Sequence, residues 1–284
     1  MRTVMLPQGE EISALGLGTW RMGESATAHG AEVSALRTAF DLGWRVVDTA
    51  EMYGDGGAER VVGEALDEAL RAGAVSRDDV FVVSKVMPQN ASTRGTLEAC
   101  ERSLRRLKLD CLDLYLLHWR GAHPLSATVA AMETLQQRGW IRHWGVSNFD
   151  KEDMLELIAV PGGAACTANQ VYYSLSERGV EVDLLPWQRV RQMPLMAYSP
   201  LDQGALGRHP SLAALAERLK ATPAQVALAW TMAGTGVMAL PKAVRAEHLR
   251  ENLAAADVAL DAAALATLNR LFPAPRRKRP LAMT

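Results

Sequence analysis

Apolar, β-branched runs alternate with amphipathic stretches along most of this chain. The runs are ALGLGTW (14–20), RVVDTA (45–50), VFVVSK (80–85), LDLYLLH (112–118), IRHWGVSN (141–148), CTANQ (166–170), PLMAYS (194–199) and VMALPK (237–242). Most are nearly continuous in apolar residues, which is the pattern of strands buried on both faces. CTANQ fits least well, with one β-branched residue and little apolar content. Between the runs, residues 31–42 carry Val33, Leu36, Arg37 and Phe40 at helical spacing. Residues 57–71 carry Val61, Val62, Ala65 and Leu66, and residues 94–107 carry Leu97, Leu104 and Leu107. Thr222-Pro223-Ala224-Gln225 reads as a helix start: threonine caps, proline fits the first turn, and glutamine reaches back to the cap amide. Asp150 and Asp261 read as weaker caps. Ahead of all this, TVMLPQGEEI predicts a small hairpin around Gln8-Gly9.

Eight strand-like runs separated by helices in 284 residues predict a closed (β/α)8 barrel. No linker divides the chain, so residues 1–284 read as one domain. An open doubly wound sheet would usually carry GxGxxG after its first strand. Here Gly16-Leu17-Gly18 runs into Thr19, Trp20 and Arg21, and the fingerprint fails.

Composition narrows the partners. Hydrophobic residues make up 49% of the chain and the net charge is −1, which argues against nucleic acid or an anionic membrane as the main partner. The basic run Arg276-Arg277-Lys278-Arg279 lies among prolines and reads as a solvated tail. Three scattered cysteines, no charged-then-apolar leader and no apolar stretch of bilayer length point to a soluble, cytoplasmic protein.

In a barrel of this kind the chemistry gathers at the carboxyl ends of the strands. The polar or aromatic residues that end the runs are Trp20, Asp48, Lys85, His118, Asn148, Gln170, Tyr198 and Lys242. Tyr53 follows Asp48 closely. Alone, a lysine or aspartate here would be an ion pair and a histidine a core residue. Together they suit proton donation to a carbonyl oxygen. A tyrosine is a weak acid, with a pKa near ~10. A neighbouring Lys85 ammonium lowers that value, Asp48 holds the lysine charged, and His118 orients the carbonyl. The six histidines make no HExxH or similar spacing, so no metal site is expected, and no GxSxG elbow suggests a hydrolase.

These motifs also carry a resemblance. DTAEMY, SKV, LLHW, GVSN, NQ, YSPL and LPKA occur in the order found in the aldo-keto reductases, from Gly16 to Asn252. The chain is most similar to a short bacterial branch associated with methylglyoxal and other small aldehydes. The resemblance implies a reductase that uses NADPH, with Tyr53 as proton donor and Asp48, Lys85 and His118 around it. It places Ser147, Asn148 and Gln170 on the nicotinamide carboxamide and Tyr198 against the ring. Gly18, Thr19 and Trp20 border the cofactor, and Ser199, Pro200 and Leu201 follow the pyrophosphate. Lys242 faces the 2′-phosphate, with Ala243 and His248 where the family often has a hydroxyl and an arginine, and Glu251 and Asn252 meet the adenine. Trp20, Met52 and Trp119 line the substrate pocket. The loop YGDGGAER departs from the family with extra glycines. With little chain after the last helix, the mouth is expected to be open. The protein is expected to be a monomer. A nicotinamide-binding regulatory subunit on the same barrel is the alternative reading.

Overall fold

The computed structural model describes residues 2–284. Strands β1 (Thr3–Met5) and β2 (Glu11–Ser13) form the expected antiparallel hairpin, with Val4 opposite Ile12. Its turn places Gly9 at φ 88°, a conformation that glycine adopts at no steric cost. Eight parallel strands follow: β3 (Leu17–Gly18), β4 (Val46–Asp48), β5 (Phe81–Val86), β6 (Leu112–Leu117), β7 (Ile141–Ser147), β8 (Asn169–Tyr172), β9 (Leu195–Tyr198) and β10 (Val237–Leu240). Each pairs with the next. Parallel bridges from Leu15 to Ala239 and from Gly18 to Lys242 bring the first strand against the last, giving the expected (β/α)8 barrel.

The helices form the outer ring. They are α1 (His29–Leu42), α2 (Gly57–Arg71), α3 (Thr93–Leu107), α4 (Leu125–Gln137), α5 (Lys151–Ala159), α6 (Leu184–Val190), α7 (Pro210–Arg218), α8 (Pro223–Ala233), α9 (Ala246–Ala254) and α10 (Ala262–Leu271). The capping box at Thr222 forms as expected: its hydroxyl accepts from the Gln225 amide while Gln225 accepts from the Thr222 amide. Asp150 and Asp261 also cap their helices. Strands β5 and β6 are buried along their whole length. One face of each strand meets the barrel interior and the other the helices, which explains their lack of polar alternation.

The weakest run, CTANQ, overlaps β8 only at its last two residues, and the strand continues through Val171 and Tyr172. Its polar character has a cause. The Asn169 amide donates to the Phe149 carbonyl at 2.8 Å, and Gln170 bonds across the barrel. These side chains are buried because they have partners, so apolar content understates the strand.

The end opposite the site is closed by the hairpin. Glu10 accepts from Arg142 at 2.8 Å and lies 2.7 Å from the His143 ring nitrogen, near the start of β7. Asp113, at the start of β6, accepts from Arg77, Arg142 and the Val82 amide. A buried carboxylate with three donors is satisfied, as a charge removed from water must be.

The C-terminal segment departs from expectation. Arg276, Arg277 and Arg279 are exposed, as a solvated tail would be. Lys278 is exposed too, but it also reaches the carboxylates of Asp150 and Asp183 at 3.5 Å, and that of Glu152 as well. Leu281 packs against the core, and Met283 and Thr284 arrive at the barrel mouth. A cation among three carboxylates has a reason to stay, which a basic run read in isolation does not reveal.

Two loops at the mouth meet backbone to backbone. A Cβ on Gly57 would lie 2.2 Å from the Gly23 carbonyl oxygen. This contact accounts for a glycine in YGDGGAER: it lets the loop bearing Tyr53 seat against the loop that follows Trp20. Alanine is normally favoured over glycine in a helix by about 1 kcal/mol. Gly57→Ala should nevertheless destabilise the fold, by about 2 kcal/mol or more, because backbone must move. The urea midpoint reads this directly, and a stabilised variant would show that the contact carries no constraint.

Candidate active site

Strand alternation sets up the site. Along β5, Ser84 points to the helix shell, where its hydroxyl donates to Glu59 at 2.6 Å. The next residue, Lys85, must then point inward. Its ammonium donates to Asp48 Oδ2 at 2.8 Å, to the Thr49 carbonyl at 2.8 Å and to the Tyr53 hydroxyl at 3.2 Å. Lys85 is fully buried and Asp48 nearly so. Asp48 is the last residue of β4. Tyr53 sits on no strand; it hangs from the turn before α2, whose geometry the Gly57–Gly23 contact fixes. His118 follows β6, with its amide donating to the Val86 carbonyl, and its ring meets Tyr53 edge-on at 5.7 Å between centroids. The four expected residues therefore form one contiguous group.

The electrostatics differ from expectation in one respect. Lys85 does pull the Tyr53 phenol towards ionisation, but burial outweighs it, Asp48 adds to burial, and the net shift is upward. Removal from water penalises the phenolate more than one ammonium, itself held by Asp48, repays. Burial also works against the Lys85 ammonium, but Asp48 and Tyr53 outweigh it and hold its pKa above the ordinary value. His118 moves the other way. Burial, and then Lys85, hold its pKa well below 6.5, so the ring is neutral near pH 7. Its Nδ1 is buried without a hydrogen-bond partner, which leaves Nε2 as the nitrogen for the cavity.

These groups open into a cavity of about 550 Å³, a size typical of small-molecule sites. Gly18, Trp20, Met52, Trp119, Ser147, Asn148, Gln170, Tyr198, Ser199, Pro200, Leu201 and Lys242 line it, as expected for the mouth. The amide and hydroxyl groups on its far wall are tied together. Ser147 donates to the Gln170 carbonyl at 2.8 Å, Asn148 donates to the His118 carbonyl at 3.0 Å, and Tyr198 donates to Asn148 Oδ1 at 2.9 Å. Asn148 reaches these partners from a left-handed backbone, φ 58°, which asparagine tolerates better than most residues. The Tyr198 ring stacks on Tyr172 at 5.8 Å and 15° between planes, so it is fixed from one side.

Other expected residues lie elsewhere. Thr19 is buried behind the wall, with its hydroxyl on the Asp48 carbonyl at 3.0 Å. Ala243, His248, Glu251 and Asn252 do not border the cavity; they continue beyond Lys242 through the first turns of α9. His248 lies between the Arg245 guanidinium and the Glu251 carboxylate. Sequence reading missed Arg21, Gln203, Met283 and Thr284 on the cavity wall. Arg21 stands over the Trp20 ring at 4.5 Å. Among the described residues, neither Arg21 nor Lys242 forms an ion pair with a carboxylate, so the cavity presents two cations to an anionic ligand. No three His, Cys, Asp or Glu residues gather as a metal site among the described residues. No helix among them is long and apolar enough to cross a membrane.

The chain resembles known reductases over most of its length. The chain is 50% identical to the methylglyoxal reductase YeaE of Escherichia coli K12 over 277 residues, covering 96% of this chain and 95% of that protein. It is 34% identical to a glyoxal reductase of Bacillus subtilis, covering 88% and 85% respectively. The crystal structure of an aldo/keto reductase from Klebsiella pneumoniae, in complex with NADP and acetate, superimposes with a TM-score of 0.94 at 48% identity, covering 99% of both chains. The model of the aldo/keto reductase family matches residues 14–272, and the chain belongs to that family.

Proposed function

We propose that this protein reduces small aldehydes and 2-oxoaldehydes of the methylglyoxal kind to alcohols with NADPH, using Tyr53 as the proton donor. The observation that carries the reading is the Tyr53 hydroxyl 3.2 Å from a fully buried lysine that Asp48 holds charged, beside a neutral histidine and open to one cavity. NADPH, when bound, supplies the hydride that adds to the carbonyl carbon. The residues do the rest. His118 holds the carbonyl oxygen through Nε2–H. As negative charge develops on that oxygen, the Tyr53 O–H bond breaks and the proton passes to it. The phenolate left behind is stabilised by the Lys85 ammonium, and a solvent proton later restores the phenol. Because the resting phenol is held protonated, Lys85 acts on the anion formed during the reaction rather than by making Tyr53 acidic beforehand.

Several features fit the cofactor. The Ser147 hydroxyl and the amides of Asn148 and Gln170 suit a carboxamide, and the stacked Tyr198 offers a flat face. Lys242 lacks a carboxylate partner and can face a 2′-phosphate, with Arg245 close to the same end. The NADP complex of the Klebsiella protein, at 48% identity, supports the same choice. The similarity to a methylglyoxal reductase and a glyoxal reductase supports small, reactive aldehydes as substrates. Trp20, Met52 and Trp119 give the substrate half an apolar wall, and such walls discriminate weakly, by about 1–3 kcal/mol per methylene.

Tyr53→Phe removes one hydroxyl and little else. NADPH affinity, followed by fluorescence quenching, should persist while kcat falls by about 10²-fold or more. A kcat near that of the parent would end the assignment.

The pH profile follows from the two shifts. A phenol whose pKa lies above the ordinary value remains a donor until the medium is strongly alkaline, and a histidine whose pKa is depressed stays neutral down through pH 6.5. The kcat for reduction, measured at saturating NADPH, should therefore be flat from about pH 7 to about pH 9. A titration midpoint inside that window would contradict these assignments.

Substrate and cofactor can be tested in one panel. Methylglyoxal and 4-nitrobenzaldehyde should both turn over, with higher kcat/KM than a steroid ketone. NADPH should exceed NADH by roughly tenfold or more, the worth of a charged hydrogen bond. A preference for the steroid or for NADH would overturn the corresponding half of the proposal.

A further inference from the structure

Gln170 belongs to the expected carboxamide cradle, yet its side-chain nitrogen lies 2.7 Å from Asp48 Oδ1. The bond joins β8 to β4, which are four strands apart in either direction around the barrel, so it spans the full width of the mouth. The Gln170 backbone is fixed as well: its carbonyl accepts from the Ser147 hydroxyl at 2.8 Å and from the Asn148 amide at 2.8 Å. The side chain is 1% exposed. An ionised carboxylate can only accept hydrogen bonds, so the atom facing Asp48 must be the amide NH₂.

From this juxtaposition we infer that Gln170 is a positioning residue for proton delivery as well as a wall of the cofactor site. The inference rests on Tyr53 being the proton donor. Asp48 has two oxygens and two holders: Lys85 on Oδ2 and Gln170 on Oδ1. The carboxylate is thus held from the neighbouring strand β5 and from β8 across the barrel, and its rotation is fixed. Lys85 keeps its place beside Tyr53 only while Asp48 keeps its own. The amide also spreads part of the Asp48 charge, which otherwise opposes departure of the phenol proton as a phenolate forms. Its remaining carbonyl oxygen is free to accept from a carboxamide N–H. A single side chain therefore touches both the cofactor's expected seat and the acid network. The charged or titratable groups facing Asp48 and its phenol are Lys85 from β5, Tyr53 from the turn, His118 after β6 and Tyr198 from β9.

Two substitutions test this. Gln170→Met keeps the length of the side chain and removes the donor. With saturating NADPH, kcat should fall by about tenfold or more, and the alkaline limb of its pH profile should move upward. A role in the cofactor site alone would raise the NADPH Kd and leave kcat and its profile at saturation as they were, which would overturn the inference. Gln170→Glu keeps an acceptor for the carboxamide but sets two carboxylates face to face. They can share a proton, so the lost kcat should return as the pH is lowered. A pH-independent kcat equal to that of the parent would overturn the inference even if Gln170→Met failed to fold. Tyr53→Phe, assayed alongside, separates the two levels. If it retains turnover, the proton-donor reading fails. If it loses turnover while both Gln170 variants behave like the parent, only the Gln170 inference fails.

Discussion

The ion pair between Lys85 and Asp48 is the constraint on which the rest of the site depends. Two charges removed from water are costly, and their mutual attraction repays the cost only when the geometry is tight and the remaining hydrogen-bonding positions are filled. Here they are filled. The lysine has the Thr49 carbonyl and the Tyr53 hydroxyl as its other acceptors, and the aspartate has the Gln170 amide. Such an arrangement needs donors and acceptors that approach from several directions at one depth. A closed barrel supplies them, because neighbouring strands end together and alternate residues point inward. The helices, the hairpin plug and the buried Asp113 network at the far end hold the strands in register. Their contribution to chemistry is that the Lys85 and Asp48 side chains arrive at the same height.

The same burial sets the character of the Tyr53 phenol. Exposed to water, a tyrosine beside a lysine would be somewhat easier to ionise. Within the wall it is harder to ionise, and it rests fully protonated. On the proposed mechanism, the site is arranged around the charge that forms during the reaction. His118, kept neutral by burial and by the same lysine, does not compete by carrying a charge of its own.

Much of this was legible in the sequence because barrels place chemistry by simple rules. Asp48, Lys85, His118, Asn148, Tyr198 and Lys242 each close or follow an apolar run, and the runs mark the strands closely. Tyr53 followed from its spacing to Asp48. What was less legible depends on contacts between distant parts of the chain. CTANQ looked weak because its polar side chains find partners only after folding. Thr19 looked like a cavity residue but faces the wall. The direction of the Tyr53 shift could not be read from neighbours alone, since it is decided by loss of water. Lys278 looked solvated until Asp150, Glu152 and Asp183 came together from two other segments. The Gln170–Asp48 bond joins residues 122 positions apart, and no local pattern signals it.

The touching backbones of Gly23 and Gly57 have a consequence for how this mouth can vary. With no side chain between them, the loop behind Trp20 and the loop carrying Tyr53 form a single stiff lip. Neither can be lengthened or retilted without displacing the other, and with it the phenol. Variation in what the pocket admits is therefore left to side chains that reach the cavity, such as Met52 and Met283, which can be exchanged without moving either backbone.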